Sequence, residues 1–406
     1  YKKSLAITKS SIVTSRNLYP PRVDDLNSKI NLLHAYGWEE SEFPQDWIYD
    51  FNSYLQGISV MSSQVKKILI DNGVRVPITV CGLGTDHFEN IKSDPNFNFK
   101  AKNFKFLHVS SCFPRKGIDI LLKAYGEAFS STDNVTLIIK TFKNDHNNIE
   151  DLLKNERLKN SKYPDVIIIN SDLSKHQLKA LYLLSDVLVA PSRGEGFGLP
   201  IAEAMCLGLP VITTGWGGQS DFCNDQNSWL ISYDFTTAKT HFNLGLSYWA
   251  EPSCAHLKLL MKELLNKNSE ELMSKTSLAK SDIKKFNWHN TVLKNLEFAE
   301  NIIDTMNSIH PSIGWISSWG SRCGIANYSK NLIDNLNSRV RIFAPYSDSD
   351  YQNSSSYETI ECWQQDDGIS QDLNNLLANV INSKITSLVI QFNYGFFDFS
   401  SLSNFL

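Results

Sequence analysis

The sequence predicts an α/β protein built on doubly wound, Rossmann-like parallel sheets. Between Phe104 and Trp229, short β-branched or apolar runs alternate with amphipathic stretches, the pattern of βαβ units. The same alternation is present in part before Cys81 and resumes at Ile313. A Gly-rich turn sits where a strand hands over to a helix, the place where such sheets bind ligands.

Upstream, Ile30–His34, Gly57–Ser62 and Ile78–Cys81 read as strands. Gln64–Asn72 reads as a helix ending at Gly73, a residue suited to a left-handed cap. The central order is strand Phe104–Val109, helix Gly117–Phe129 with Ile118, Leu121, Leu122 and Tyr125 as its apolar positions, and strand Val135–Lys140. Helix Asn147–Leu158 and strand Val166–Ile169 follow, and Ser174 is the expected N-cap of a helix Lys175–Leu184. Strands Val187–Ala190 and Pro210–Thr213 flank a helix beginning at Leu199–Pro200. Glu270–Ser281 and Val292–Met306 are expected as helices closing this central domain. A new βα pattern starts at Ile313–Ser317, turns through Gly320–Gly324 and continues as helix Ile325–Leu336. Its later strands are Val340–Ala344 and Ser387–Gln391, the second within the run Ser387–Phe392, with a polar loop around Asp348–Ser356.

At 406 residues, 42% hydrophobic and 20% charged, the composition is that of a globular chain with two or more cores. A net charge of -4 provides no broad basic field for nucleic acid. The seven Cys are scattered and never form C-x-x-C, so neither a disulfide framework nor a zinc site is expected, and a cytoplasmic setting fits. No apolar run approaches the roughly 18 to 20 residues that span a bilayer. The start, Tyr1-Lys2-Lys3-Ser4, lacks a signal-peptide pattern, and both ends read as cut from a longer protein.

The run Pro191-Ser192-Arg193-Gly194-Glu195-Gly196-Phe197-Gly198-Leu199-Pro200 falls at a strand-to-helix junction. Glycines there let backbone N–H groups approach a ligand, and the helix N-terminus favours an anion such as a diphosphate. Pro200 suits the first helical turn. Glu195 on the loop and Glu203 one turn into the helix are expected to face one crevice, where carboxylates accept hydrogen bonds from hydroxyls. A plain structural turn with a solvated Glu203 fits the same residues. Arg115-Lys116-Gly117 adds two cations at the same sheet edge, unfavourable beside a helix N-terminus unless an anion binds. Trp216, Trp229 and Trp288 read as core or cleft-wall residues, although Trp216–Gln219 follows a strand end. His34, His87 and His108 show no ligand-like spacing, and Asp221 is open.

Taken together, Pro114-Arg115-Lys116-Gly117 and Glu195-Gly196-Phe197-Gly198-Leu199-Pro200-Ile201-Ala202-Glu203-Ala204 resemble family 4 of the retaining GT-B glycosyltransferases. The resemblance implies a GT-B fold, with a nucleotide-sugar donor domain and an acceptor on a preceding, similar domain. It implies that Glu195 touches the donor sugar, Glu203 the ribose, and Arg115 and Lys116 the diphosphate. Backbone at Gly196, Phe197, Gly198 and Leu199 would complete the cradle, with Leu173 near the base. Ser111 stands where many members have a phosphate-binding Arg, so Arg115 or the helix dipole must compensate. The leaving diphosphate gains charge that fixed cations and N–H groups stabilise. No metal and no cofactor are expected, the donor being a GDP- or UDP-sugar.

The flanks extend the likeness. Trp38-Glu39-Glu40-Ser41-Glu42-Phe43-Pro44, Ser59–Ser62 and Gly82-Leu83-Gly84-Thr85-Asp86 resemble the end of an acceptor domain, while Gly314–Leu336, with Ser321-Arg322-Cys323-Gly324, resembles the beginning of another. The expected domains are thus 1–95, the C-terminal part of an acceptor domain; 96–308, a complete donor domain; and 309–406, the start of a second acceptor domain. Permutation, with Pro311–Leu406 and Tyr1–Cys81 forming one domain, is the alternative. The resemblance implies transfer of a hexose, mannose among the candidates, to a growing glycan or lipid-linked glycan such as O antigen, at the inner face of the cell membrane. A nucleotide-sugar or glycan-binding module without turnover, and a GT-B epimerase, remain alternatives.

Overall fold

The structure, a computed structural model, describes residues 12–240, 242, 244–267, 269–307, 313–321, 323–336, 338–347, 357–365, 371–391, 393 and 395–406. It divides into two units at Ile302/Ile303. The polar loop expected over 348–356, Arg322 of the second Gly-rich turn and Phe392 lie outside the described residues.

The first unit opens with β1 (Val13–Arg16), β2 (Ile30–Tyr36), α1 (Gln45–Tyr54), β3 (Gly57–Val60), α2 (Ser63–Asp71) and β4 (Ile78–Val80). The four strands form a parallel sheet in chain order. Ser62 caps α2 by accepting the Val65 N–H, and Gly73 takes φ +96° just past its end, as expected. Sequence reading did not anticipate β1 and α1. Val13–Arg16 has only one apolar residue and is defined by its pairing with Ile30–Leu33. In α1 the buried Ile48 and Phe51 sit among exposed polar and aromatic side chains, which blurs the helical period. Trp38, Phe43, Phe51, Ile58 and Val65 fill this lobe's core, each contributing roughly 1.5–3 kcal/mol through burial.

The second lobe of this unit contains β5 (Phe104–Val109), α3 (Ile118–Ala128), β6 (Val135–Lys140), α4 (Ile149–Lys159), β7 (Asp165–Ile169), α5 (Lys175–Leu183), β8 (Val187–Ala190), α6 (Leu199–Cys206), β9 (Val211–Thr214) and β10 (Trp229–Ile231). These are the expected elements within one or two residues, plus β10. Ser174 and Gln177 form a capping box on α5. The parallel sheet runs β10-β9-β8-β5-β6-β7, so strand order reverses between β5 and β8. An antiparallel ribbon follows, β11 (Tyr233–Thr237) with β12 (Tyr248–Pro252). Its far end reaches the first lobe: Ser41 N–H donates to the Tyr248 carbonyl at 3.2 Å and Tyr248 N–H to Ser41 Oγ at 2.6 Å. Leu246 N–H reaches Glu42 Oε2 at 3.0 Å, and Ser247 Oγ reaches Glu40 Oε2 at 3.0 Å.

Three helices follow: α7 (Cys254–Asn266), α8 (Ser269–Ile283) and α9 (Trp288–Asn307), the last running past the division at Ile302/Ile303. The first was not anticipated, although its buried Leu257, Leu260, Met261 and Leu264 follow helical spacing. The expectation that the last two both close the central domain is corrected. α8 packs on α6, but α9 returns to the first lobe, where Asn295 meets the Ser59 hydroxyl and the Phe298 ring covers Gly57. The small side chains at 57 and 59 admit that helix.

The second unit comprises β13 (Ile313–Ile316), α10 (Gly324–Asp334), β14 (Val340–Pro345), β15 (Tyr357–Trp363), α11 (Asn374–Asn382), β16 (Ser387–Ile390) and α12 (Phe399–Phe405). Its parallel sheet is ordered β15-β14-β13-β16, with Phe343, Trp363 and Leu376 in the core on one side and Trp315, Ile333 and Ile342 on the other. Of these elements β15, α11 and α12 were not foreseen. Glu and Thr interrupt the apolar residues of β15, and α11 is rich in Asn.

Candidate functional site

Where strand order reverses, the loops leaving two neighbouring strands diverge and open a crevice at the carboxyl edge of the sheet. Residues 110–117, after β5, and residues 191–198, after β8, occupy that position. They interlock. Arg193 N–H donates to the Arg115 carbonyl at 2.7 Å. Gly117 takes φ +66°, and a Cβ there would lie 1.9 Å from the Pro191 carbonyl oxygen, so only glycine allows this approach. The buried Arg193 guanidinium bonds Asp119 at 2.9 and 2.8 Å and Glu251 at 2.6 and 2.7 Å. Burial works against its charge, but those two carboxylates raise its pKa further above the ordinary value.

The interlocked turns bring Lys116 and Glu195 together. Lys116 Nζ donates to Glu195 Oε1 at 2.6 Å, and Ser192 Oγ donates to the same oxygen at 2.7 Å. Arg115 Nη1 lies 3.9 Å from the other carboxylate oxygen. Burial alone would raise the Glu195 pKa, yet Lys116, Arg115 and the Ser192 hydrogen bond outweigh it and hold the carboxyl below its ordinary value. Burial, then Arg115, draws the Lys116 ammonium downward against the pull of Glu195. Arg115 also reaches Glu39 Oε1 at 3.0 Å through Nη2 and the Gly194 carbonyl at 3.2 Å through Nη1. Glu39 comes from the loop after β2. Its carbonyl would lie 2.4 Å from a Cβ on Gly194, so the first lobe rests directly on the Gly-rich turn.

Behind this cluster, Gly198 adopts φ +90° and Leu199–Pro200 start α6, whose N-terminus carries partial positive charge. Phe197 is buried against Phe222 and Phe286, with ring centroids 5.1 and 5.8 Å away, which anchors the turn; Gly196 lies against the Trp38 backbone. Glu203, 7% exposed, keeps different company: Tyr182 Oη donates to Oε2 at 2.8 Å and His87 Nε2 lies 3.0 Å from Oε1. The two glutamates therefore have no partner in common among these contacts. Ser111 and Leu173 are both half-buried, on loops after β5 and β7; the Ser111 carbonyl accepts from Asn144 Nδ2 at 3.0 Å, and Leu173 packs on the core.

Several residues given no role in the sequence reading border this region. His108, 1% exposed, bridges β5 and β8, with Nδ1 2.7 Å from the Val189 carbonyl and Nε2 2.7 Å from Ser110 Oγ. Burial brings its pKa down to about 4. A polar residue in an apolar strand was the available signal. His87 on Glu203 had none, because the linker after β4 carries no periodicity. Among the described residues, the Gln219 Oε1 and Thr214 Oγ1 atoms are buried without a hydrogen-bond partner. Asp221 Oδ2 accepts the Ser63 N–H at 2.8 Å, joining the lobes. Trp216 packs edge-on against Phe235, Trp229 is buried with Lys275 Nζ 4.5 Å from its ring centroid, and the Trp288 indole N–H lies 3.4 Å from His87 Nδ1. His34 Nδ1 shares a hydrogen bond with Ser15 Oγ at 2.9 Å. Beside Arg115, a cavity of about 600 Å³ opens between the lobes, walled by Tyr19, Tyr36, Glu39, Lys239 and Phe242 among others. Among the described residues, no group of three or more His, Cys, Asp or Glu is placed to hold a metal ion, and no helix is long and apolar enough to cross a membrane.

Residues 89–238 match the family described as glycosyl transferases group 1. The chain is 32% identical over 116 residues to the O-antigen chain mannosyltransferase RfbU of Salmonella typhimurium, covering 28% of this chain and 31% of that protein. It spans between 31% and 44% of the length of the first curated relatives it matches. Among solved structures, sucrose-phosphate synthase from Thermosynechococcus elongatus superposes with a TM-score of 0.54 at 17% identity, over 70% of each chain. Anabaena HepE, solved in complex with UDP and glucose, gives a TM-score of 0.51 at 20% identity, over 68% of this chain and 72% of that one. The architecture is that of the GT-B glycosyltransferases.

Proposed function

We propose that this chain belongs to a retaining, family 4 enzyme that transfers a hexose, mannose the first candidate, from a GDP- or UDP-sugar to a hydroxyl of a growing glycan. One observation carries the reading: Lys116, Arg115 and Glu195 converge, largely buried, at the switch point of a parallel sheet beside a helix N-terminus. Fixed positive charge at that point suits a departing diphosphate. In the proposed step the bond between the anomeric carbon and the β-phosphate oxygen breaks while a bond to the acceptor oxygen forms on the same face. The acceptor proton passes to the leaving phosphate. Lys116, Arg115 and the backbone N–H groups at Gly196, Phe197, Gly198 and Leu199 stabilise the charge that develops. Glu195 orients the sugar hydroxyls, Glu203 the ribose, and Leu173 and Ser111 border the nucleotide. No metal and no cofactor take part.

Relatives named for mannose transfer and for O-antigen and capsular polysaccharide synthesis support the choice of sugar and product class. Two separate four-stranded parallel sheets, at residues 13–80 and 313–390, support reading the chain as the end of one GT-B enzyme followed by the beginning of the next. The enzyme would act in the cytoplasm, at the inner face of the membrane, on a lipid-linked glycan. Calorimetric titration of the full chain with UDP and GDP tests the site. One of them should bind, and Lys116→Ala should weaken it roughly ten- to hundredfold, the loss of a charge-assisted contact. Absence of binding, or equal affinity in the variant, would refute the reading. Binding without release of nucleoside diphosphate from any hexose donor would sustain a binding module instead.

A further inference from the structure

We propose that His87 is a positioning residue for the nucleotide. Its Nε2–H holds the Glu203 carboxylate so that each oxygen keeps an acceptor site for one of two adjacent ribose hydroxyls, and Trp288 fixes the His87 tautomer that does so. The assignment deepens the donor reading above and rests on it, because that reading gives the ribose to Glu203. His87 lies on the linker after β4 and Trp288 opens α9, so neither belongs to the sheet that carries the two cations.

An ionised carboxylate offers about four lone-pair sites, shared equally between its oxygens. Tyr182 Oη takes one on Oε2 at 2.8 Å, and His87 Nε2 takes one on Oε1 at 3.0 Å. These are the partners of the two oxygens among the described residues. Each oxygen therefore keeps one site, and a ribose presents two neighbouring hydroxyls with one donor each. Burial, then the Glu203 charge, raises the Tyr182 phenol well above its ordinary pKa, so it remains a donor.

His87 can meet Oε1 only with the proton on Nε2, since a lone pair there would face a lone pair. A neutral imidazole carries one N–H and can place it on either nitrogen. The Trp288 indole only donates, and its N–H lies 3.4 Å from Nδ1, an approach incompatible with a proton on that atom. Nδ1 is thereby the acceptor and Nε2 the donor. The ring is held in place through the backbone around it: Trp288 N–H donates to Asp86 Oδ1 at 2.9 Å, and Thr85 N–H donates to the Phe286 carbonyl at 2.9 Å. A Cβ on Gly84 would lie 2.4 Å from both the backbone nitrogen and the Cγ of Trp288, so linker and helix are in close contact. Space filling alone would need no partner at either ring nitrogen.

The test is calorimetric titration of the full chain with UDP and GDP, and with the 2′-deoxy and 3′-deoxy forms of whichever binds. The parent should prefer the ribonucleotide about tenfold, and Glu203→Ala should bring that ratio close to one. His87→Phe should weaken the ribonucleotide about three- to tenfold while leaving the deoxy ligands unchanged. His87→Gln, whose amide N–H can replace Nε2–H, should restore part of the preference. Trp288→Phe, which keeps a ring over Gly84 but removes the donor, should lower it by a smaller factor. Lys116→Ala acts on the phosphates and should weaken all ligands alike. Partial unfolding of a variant would also scale every ligand alike, so the ratio reads the ribose contact and not the fold. An unchanged ratio in His87→Phe, or equal losses for ribo and deoxy ligands, would overturn the positioning role and leave the donor site standing. An unchanged ratio in Glu203→Ala would take the ribose from Glu203 and overturn the proposal at its base. A parent that binds neither UDP nor GDP would refute the donor reading itself, and this proposal with it.

Discussion

Lys116→Met keeps the apolar stem of the side chain and deletes its ammonium, leaving Glu195 charged in a site where the two side chains are 12% and 9% exposed. Removing one partner of a buried pair costs about 3–5 kcal/mol. Arg115 at 3.9 Å and the Ser192 hydrogen bond remain, which places the expected loss near the lower end, about 3 kcal/mol. Glu195→Gln should cost a similar amount, because it leaves the buried Lys116 without its carboxylate and Arg115 with Glu39 alone. The double variant should then lose less than the sum of the singles by about 2 kcal/mol. A chain of two units need not unfold in one step, so local opening is the better readout. Hydrogen exchange of peptides covering residues 110–117 and 191–198, followed by mass spectrometry, supplies it. Because the folded Glu195 pKa is depressed, the stabilisation is fully present above the unfolded value of 4.5 and is lost as pH falls through the folded value. The coupling should therefore disappear in acid. Additivity of the two substitutions within about 0.5 kcal/mol at neutral pH would refute the pairing as a source of local stability.

Gly117→Ala places a Cβ on the Pro191 carbonyl and should cost more than about 3 kcal/mol, read as a lower melting temperature with loss of nucleoside diphosphate binding; an unchanged melt would contradict the close approach. His108 has a folded pKa of about 4 against 6.5 when unfolded. Its neutral form supports the fold fully above pH 6.5, and up to about 3 kcal/mol is lost as pH falls to 4. His108→Gln should flatten that acid limb in denaturation measured across pH, and an identical slope would argue against it. Arg193→Met strands Glu251 and the half-exposed Asp119, with an expected loss of about 2–3 kcal/mol and faster exchange in residues 191–198, again by mass spectrometry.

The central lobe was legible because its strands are continuous apolar runs and its helices carry a clear apolar stripe; Val135–Lys140 and Ile118–Ala128 need no tertiary information to be recognised. The elements that escaped are set by long-range partners. Val13–Arg16 becomes a strand only against Ile30–Leu33, and the ribbon after β10 is held partly by a distant loop at Ser41. The Gly-rich turns of the site were readable from Gly117, Gly198 and Pro200, because each has a local backbone reason to be there. What lay beyond local pattern was pairing across the fold: Glu39 with Arg115, and His87 with Glu203. Spacing placed Glu195 on the loop and Glu203 one turn into the helix but gave no sign that Tyr182, on the preceding helix, would engage the second.

The ribbon β11–β12 has a mechanical consequence. Five hydrogen bonds between its outer end and Glu40, Ser41 and Glu42 clasp the chain there. A swing of one lobe away from the other must peel that clasp together with the Arg115–Glu39 and Asp221–Ser63 contacts, so fraying of a surface arm is one step in opening a crevice between them. Shortening or stiffening the arm would change the ease of that opening while leaving the Lys116–Glu195 pair where it stands.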